Sequence, residues 1–134
     1  MNVLVVEPGC LPYEREIGGL EEMQAVVVGP ITVLYPWKDQ AAIVGNDEAL
    51  LSNMPFNRSV EGGYGGVFGP FFVCGLGEEG FCSLTPEQVK TYKAKFRQAE
   101  LLVGFRGQEP VTMKVPASPK ETIKRNSRTQ DRER

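Results

Sequence analysis

The chain has 134 residues, of which 41% are hydrophobic and 9% aromatic, enough for one domain with a buried core. It contains no histidine, which excludes Ser-His-Asp and Cys-His catalysis and imidazole metal ligands. Residues 1–115 carry 9 basic against 14 acidic residues, a balance of −5, whereas residues 116–134 carry 6 against 3, a balance of +3. An acidic body repels nucleic acid, so only weak, salt-sensitive contact through the tail is expected.

The sequence also bears on location and cofactors. No apolar run approaches the roughly 20 residues that a membrane-spanning helix requires. The start MNVLVVEPGC lacks the basic region of a signal peptide, so we expect a cytoplasmic protein without membrane contact. Cys10, Cys74 and Cys82 lack C-x-x-C spacing, which argues against a disulfide framework and a structural zinc site. We therefore expect no cofactor and no metal.

The first third of the chain predicts strands separated by turns, with one helix. NVLVVEPG is apolar and closed by Pro8 and Gly9, which predicts a buried strand. LEEMQAVVVG has apolar residues at helical spacing and predicts a helix that ends at Gly29. ITVLYPW and QAAIVGN predict strands over residues 31–35 and 41–45, joined by a hairpin loop.

The middle of the chain contains a glycine-rich stretch, a predicted central strand and the clearest helix signal of the sequence. Residues 62–69 contain five glycines and predict a loop or a bulged strand, and PFFVCGL then predicts a central strand. LTPEQVKTYKAKF predicts a helix over residues 85–96, with Thr85 as N-cap and Gln88 completing a capping box. The predicted buried stripe of this helix consists of Val89, Tyr92 and Phe96.

The C-terminal third divides into two parts. Residues 98–115 form either a strand or hairpin on the body or a segment that orders only against a partner. Residues 116–134 are polar and basic, with Ile123 as their one large apolar residue, which predicts a disordered tail. With residues 1–97 as the main domain, the pattern indicates an α+β fold. We expect a small, mainly antiparallel sheet of about five strands with two helices packed on one face.

The polar stretch GNDEALLSNMPFNR is the best candidate site. It predicts a loop that brings together Asn46, Asp47, Glu48, Asn57 and Arg58. Asparagine offers both donors and acceptors, and arginine offers a planar fork that matches carboxylate or phosphate. These side chains could hold a small anionic ligand, but asparagine and aspartate also cap turns. Both interpretations remain open.

Six phrases in order resemble a known family. VLVVEPG, PYEREI, LYPW, GNDEALLSNMPFNR, GPFFVCG and FCSLTPEQVKTYKAKF are similar to the domains catalogued as DUF 3846, over residues 2–97. That family has no assigned activity, and its members occur in Gram-positive gut bacteria, on conjugative elements and in phages. Its pattern has Gly-Lys where this chain has Ala49 and Leu50, so a lysine that could hold an anion is missing here.

The resemblance and the polar stretch lead to three hypotheses. The first is a non-enzymatic accessory protein of a phage or mobile element, active in the host cytoplasm. It would bind a small anionic or nucleotide-like ligand or a host protein, for instance in counter-defence. On this hypothesis Arg58→Ala abolishes ligand binding without unfolding the domain.

The second hypothesis is a protein-interaction module that acts through a sheet edge, the basic helix and the tail. The third is an enzyme built on Asp47 and Glu48, which requires a perturbed acid in a closed cleft. The oligomeric state stays open. Residues 101–115 are where dimerisation would be sought, because an exposed apolar strand invites pairing.

Overall fold

The computed structural model describes residues 1–120, in which two helices and ten strands occur. The helices are α1 (Leu20–Val27) and α2 (Pro86–Lys95). The first five strands are β1 (Asn2–Val6), β2 (Tyr13–Glu16), β3 (Ile31–Leu34), β4 (Ala41–Asn46) and β5 (Phe56–Val60). The other five are β6 (Gly65–Phe68), β7 (Phe71–Gly77), β8 (Gly80–Cys82), β9 (Ala99–Arg106) and β10 (Glu109–Val115).

Six strands form the main sheet, in the order β2-β1-β7-β4-β3, with β8 pairing along the end of β7. All of these neighbours are antiparallel. Strand β7 is central, as PFFVCGL predicted, because Val73 lies opposite Leu4 on one side and Ile43 on the other. The strands β5 and β6 form a separate antiparallel pair, and so do β9 and β10. The α+β class and the mainly antiparallel sheet are thus confirmed.

The two helices cover opposite faces of this sheet, so the prediction that both pack on one face is wrong. In β1, Leu4 and Val6 belong to the core on the α2 side, whereas Val3 and Val5 belong to the core on the α1 side. The α2 core also contains Ile43, Val73, Val89, Tyr92 and Phe96, and the α1 core contains Val26, Val27, Val44, Phe72 and Cys74. Successive strand residues point to opposite faces, so continuous apolar strands supply both cores.

Helix α2 begins as its sequence predicts. The Thr85 hydroxyl accepts a hydrogen bond from the Gln88 backbone N–H at 3.1 Å, and the Gln88 side chain accepts one from the Thr85 N–H at 2.9 Å. This reciprocal pair satisfies two donors that an uncapped helix leaves free. The three side chains predicted to be buried, Val89, Tyr92 and Phe96, are all buried.

The segment after β10 returns to the start of the chain. Leu11 N–H donates to the Ser118 carbonyl at 2.8 Å, and Ser118 N–H donates to the Gly9 carbonyl at 3.0 Å. Lys120 forms an ion pair with Glu7 at 2.6 Å. Residues 116–120 therefore lie against the body, contrary to the prediction of disorder from residue 116. The rest of the predicted tail, residues 121–134, lies outside the described residues.

Within residues 1–120, neither helix is long and apolar enough to cross a membrane.

Candidate functional site

The stretch from Asn46 to Arg58 contains a turn followed by a strand, rather than one loop. Asn46 ends β4, and the chain turns over residues 47–53. Asn57 and Arg58 lie inside β5, a strand that the sequence did not reveal. The five predicted side chains are therefore divided between two places, and their partners differ.

Asn46 connects the end of β4 to the end of α1. Its side-chain Nδ2 donates to the carbonyls of Val27 and Val28, both at 3.0 Å, and its Oδ1 accepts from the Glu48 N–H at 2.6 Å. Val28 has a φ of 62°, the left-handed conformation that β-branched residues rarely adopt. The Asn46 amide thus binds the last carbonyls of α1, which ends at Val27, two positions before the predicted end at Gly29. The strained residue, Val28, directly follows the helix.

Replacing Asn46 with alanine is expected to lower the free energy of unfolding by about 1–3 kcal/mol, because the buried carbonyl of Val27 and the partly buried carbonyl of Val28 lose their donor. Asp47→Ala is the matched control, since the neighbouring Asp47 side chain is exposed and should cost less than about 0.5 kcal/mol. Urea unfolding followed by circular dichroism measures both. Equal stabilities for the two variants would contradict the role of Asn46 at the end of α1.

Arg58 is fully buried and its donors meet neutral oxygens. Nη2 donates to the carbonyls of Cys10 at 2.6 Å and Phe96 at 3.0 Å, and Nε also donates to Phe96 at 3.3 Å. Nη1 donates to the Asn57 Oδ1 at 2.8 Å. Among the described residues no carboxylate forms an ion pair with Arg58. Burial lowers the pKa of Arg58, and the negative charge of Glu100 acts in the opposite direction.

Asn57 completes this buried network. Its side-chain Nδ2 donates to the carbonyls of Val6 and Gly69, both at 2.9 Å, while its Oδ1 accepts from Arg58. Together Asn57 and Arg58 connect β5 to the ends of β1 and α2. Both side chains have 0% exposure, so their polar atoms bind the protein's own backbone and present no surface to a ligand.

The two acids of the stretch lie elsewhere. Asp47 and Glu48 are both exposed, which gives no support to an enzyme that needs an acid in a closed cleft. Residues 1–120 contain no group of three or more cysteine or acidic residues placed to hold a metal ion. Among the thiols, burial raises the pKa of Cys74 to about 12.

An apolar groove runs beside the turn that follows Asn46. It has a volume of about 470 Å³, within the size range of small-ligand pockets. Its lining residues come from β3, β4, β6 and the turn: Thr32, Leu34, Gly45, Asn46, Asp47, Ala49, Leu50, Leu51, Tyr64, Gly66, Val67 and Phe68. Two of the five predicted site residues, Asn46 and Asp47, border this groove, while Glu48, Asn57 and Arg58 do not line it.

The apolar wall of the groove was not predicted, although the sequence contains a signal for it. Leu50 and Leu51 are 72% and 87% exposed, in the middle of a polar turn. Leucines that neither enter a core nor continue an amphipathic element often belong to a binding surface. Tyr64, 41% exposed, lies in the glycine-rich stretch, and its hydroxyl accepts a hydrogen bond from the Tyr35 N–H at 3.2 Å.

Strand β3 borders the groove and is the edge of the main sheet. The hydrogen bond from Asp47 N–H to the Pro30 carbonyl, at 2.8 Å, fixes which residues of β3 face β4. Because antiparallel hydrogen bonds alternate, the N–H and C=O groups of Ile31 and Val33 point away from β4. Strand β6, across the groove, pairs only with β5 among the described residues. The groove therefore lies between two strand edges.

Comparison with known proteins yields one match. The model of a family described as "Domain of unknown function (DUF3846)" matches residues 1–97. No curated protein and no solved structure matches the chain. The matched range contains the groove and the buried network of Arg58, and ends before the hairpin of β9 and β10.

Proposed function

Since the chain belongs to the DUF3846 family, whose description leaves function open, we propose from its own groove that it is a protein-interaction module. The proposed ligand is an extended segment of a partner protein, bound along the edge of β3. One observation carries the proposal: the outer edge of β3, which pairs with no other strand of residues 1–120, and an apolar groove occur at the same place. Strand addition uses this combination, with backbone hydrogen bonds for affinity and pockets for alternate side chains.

The contacts follow from the register of β3. A partner strand pairs with the outward N–H and C=O groups of Ile31 and Val33. Its alternate side chains point to the sheet face that carries Thr32 and Leu34, and so enter the groove. There they contact Leu51, whose side chain is 87% exposed in the free protein. Burial of these apolar surfaces stabilises the complex.

Charge narrows the choice of partner segment. Among residues 1–120, Asp47 is the one charged residue that lines the groove, and the exposed Glu48 follows it. Residues 1–115 as a whole carry a balance of −5. A segment with apolar residues at alternate positions and a lysine or arginine at one end complements this surface. Complementary charge speeds association and disfavours acidic competitors.

The wider setting is part of the same proposal. The family resemblance supports a non-enzymatic accessory protein of a phage or mobile element, with a host protein in the cytoplasm as its partner. A small anionic ligand receives less support, because the donors of Arg58 are occupied by backbone oxygens.

The test begins with short random peptides displayed on phage and selected on the full-length chain. We expect enriched peptides to alternate apolar residues and to carry a basic residue at one end. A synthetic copy of such a peptide, titrated into isotope-labelled protein, should slow amide hydrogen exchange at Ile31 and Val33 by at least about tenfold. Exchange at the free rate in the bound protein would contradict strand pairing and indicate a groove that takes side chains or small molecules alone.

A matched pair of variants tests the groove itself. The double substitution Leu50→Ser and Leu51→Ser should weaken the peptide at least about tenfold, because it removes the apolar wall without touching a core. Leu20→Ser, at a leucine 56% exposed on α1, should leave the affinity within about twofold. Equal binding by the double variant and the wild-type chain, or no enrichment over an unrelated protein, would refute the proposal.

A further inference from the structure

The hairpin of β9 and β10 has one face against the body and one face in solvent. On the inner face, the Glu100 carboxylate accepts hydrogen bonds from the Ser59 N–H and the Thr112 hydroxyl, both at 3.0 Å. Glu100 is only 8% exposed, so these bonds fix the hairpin on β5. The outer face is therefore presented in a defined orientation.

The outer face is apolar. It carries four large hydrophobic side chains: Leu101, Val103, Val111 and Met113. They are between 37% and 56% exposed. A β-bulge shifts the register between Val111 and Thr112, so Phe105 lies opposite Pro110 and points away from the face of Val111. The exposed fractions of the four side chains correspond to roughly 300–400 Å² of apolar surface, within the size range of the largest patch on a typical soluble monomer and often a functional one.

We infer that this outer face is the interface between two copies of the chain, packed hairpin against hairpin. Two such patches supply the apolar centre of a contact of roughly 1,600 Å² in total, the standard size of a stable protein interface, with the surrounding residues as its rim. A dimer with two-fold symmetry uses the same patch on both copies, so one apolar face is sufficient. Edge-to-edge pairing of β10 would leave the four side chains exposed.

The charges of the hairpin balance on each side. Arg106 lies opposite Glu109 on the side of Val111, and Lys114 lies opposite Glu100 on the inner side, so residues 99–115 have no net charge. The balance of −5 in residues 1–115 comes entirely from residues 1–98. A second copy thus meets a neutral face without like-charge repulsion, whereas a strongly charged partner gains nothing there.

The chain's own C-terminal segment does not match this face in composition. Residues 121–134 contain Ile123 as their one large apolar residue, against four on the outer face of the hairpin. A single isoleucine among charged and polar neighbours cannot cover such a patch. A second copy matches it in area, polarity and charge.

Sedimentation equilibrium of the full chain tests the inference. We expect twice the mass of one chain at micromolar concentrations. Val103→Lys should weaken the dimer at least about a hundredfold, because it places a charge within an apolar contact. Tyr35→Lys is the matched control: Tyr35 is 57% exposed, like Val103 at 56%, and its backbone N–H donates to the hydroxyl of Tyr64, which lines the groove. The control should remain dimeric.

Two outcomes would overturn the inference. One is a wild-type chain that stays monomeric up to about a hundred micromolar, a concentration well above the dissociation constant of a specific dimer of this size. The other is a dimer that survives both Val103→Lys and Leu101→Lys, or that dissociates in the Leu50→Ser/Leu51→Ser variant. Circular dichroism of each variant verifies folding. Should Val103→Lys fail to fold, Met113→Lys, at a side chain 52% exposed, makes the same test.

Discussion

Arg58→Ala is expected to lower the free energy of unfolding by about 3–5 kcal/mol. The substitution leaves the carbonyls of Cys10 and Phe96 and the Asn57 amide oxygen buried without their donor. It also leaves a cavity where a fully buried side chain was. For an arginine at the surface, this substitution would abolish ligand binding without unfolding the domain. Because Arg58 is buried, we expect it to destabilise the fold instead. Chemical denaturation followed by circular dichroism measures the change.

Two comparisons separate the causes. Arg97→Ala removes an exposed arginine one residue beyond Phe96 and should change stability by less than about 0.5 kcal/mol. Arg58→Met restores most of the volume but none of the donors, so any destabilisation that it shares with Arg58→Ala reports the unsatisfied oxygens. If Arg58→Ala were as stable as Arg97→Ala, the buried network would not support the fold as described.

Phe71→Ala and Phe72→Ala are each expected to cost about 3–5 kcal/mol, because both rings have 0% exposure. Their spectroscopic signatures should differ. Phe71 packs edge-on against Phe96, with ring centroids 5.4 Å apart, and Phe96 lies 6.2 Å from the single tryptophan, Trp37. Native fluorescence of Trp37 should therefore change in Phe71→Ala and stay unchanged in Phe72→Ala, whose ring belongs to the α1 core.

This pair also tests the placement of the helices. Equal changes of Trp37 fluorescence in both variants would indicate one shared core and would contradict helices on opposite faces. Phe71→Leu keeps most of the volume and should cost less than about 1.5 kcal/mol, which would show that the larger effect of Phe71→Ala comes from the cavity it leaves.

The most accurate predictions from the sequence concerned elements that neighbouring residues determine. Helix α2 was placed within one residue, since Thr85, Pro86 and Gln88 act on the backbone beside them. Strands β3, β4 and β7 followed from short apolar runs between turn residues. The opposite-face arrangement had a signal that was not used: VLVV in β1 and FFVC in β7 are apolar at consecutive positions, which requires cover on both sides.

Features that depend on contacts between distant segments could not be predicted from the sequence. Strand β5 contains Asn57 and Arg58, which read as loop residues because their partners are carbonyls far away in the sequence. The exposed face of the final hairpin was also hidden, because alternating apolar residues do not say which face meets the core. In the candidate site, Asn46 and Asp47 border a groove whose apolar wall the sequence did not reveal.

The central position of β7 has a consequence for the synthesis of the chain. β1 and β4 leave the ribosome early, yet neither touches the other, and both pair with a strand that emerges only after residue 70. Until then the nascent chain exposes strands that are apolar on both sides and have no neighbour at the sheet centre. Sheets built from such non-local pairings fold slowly. Assembly of this domain therefore waits for β7, and a chaperone that shields β1 and β4 would act in that interval.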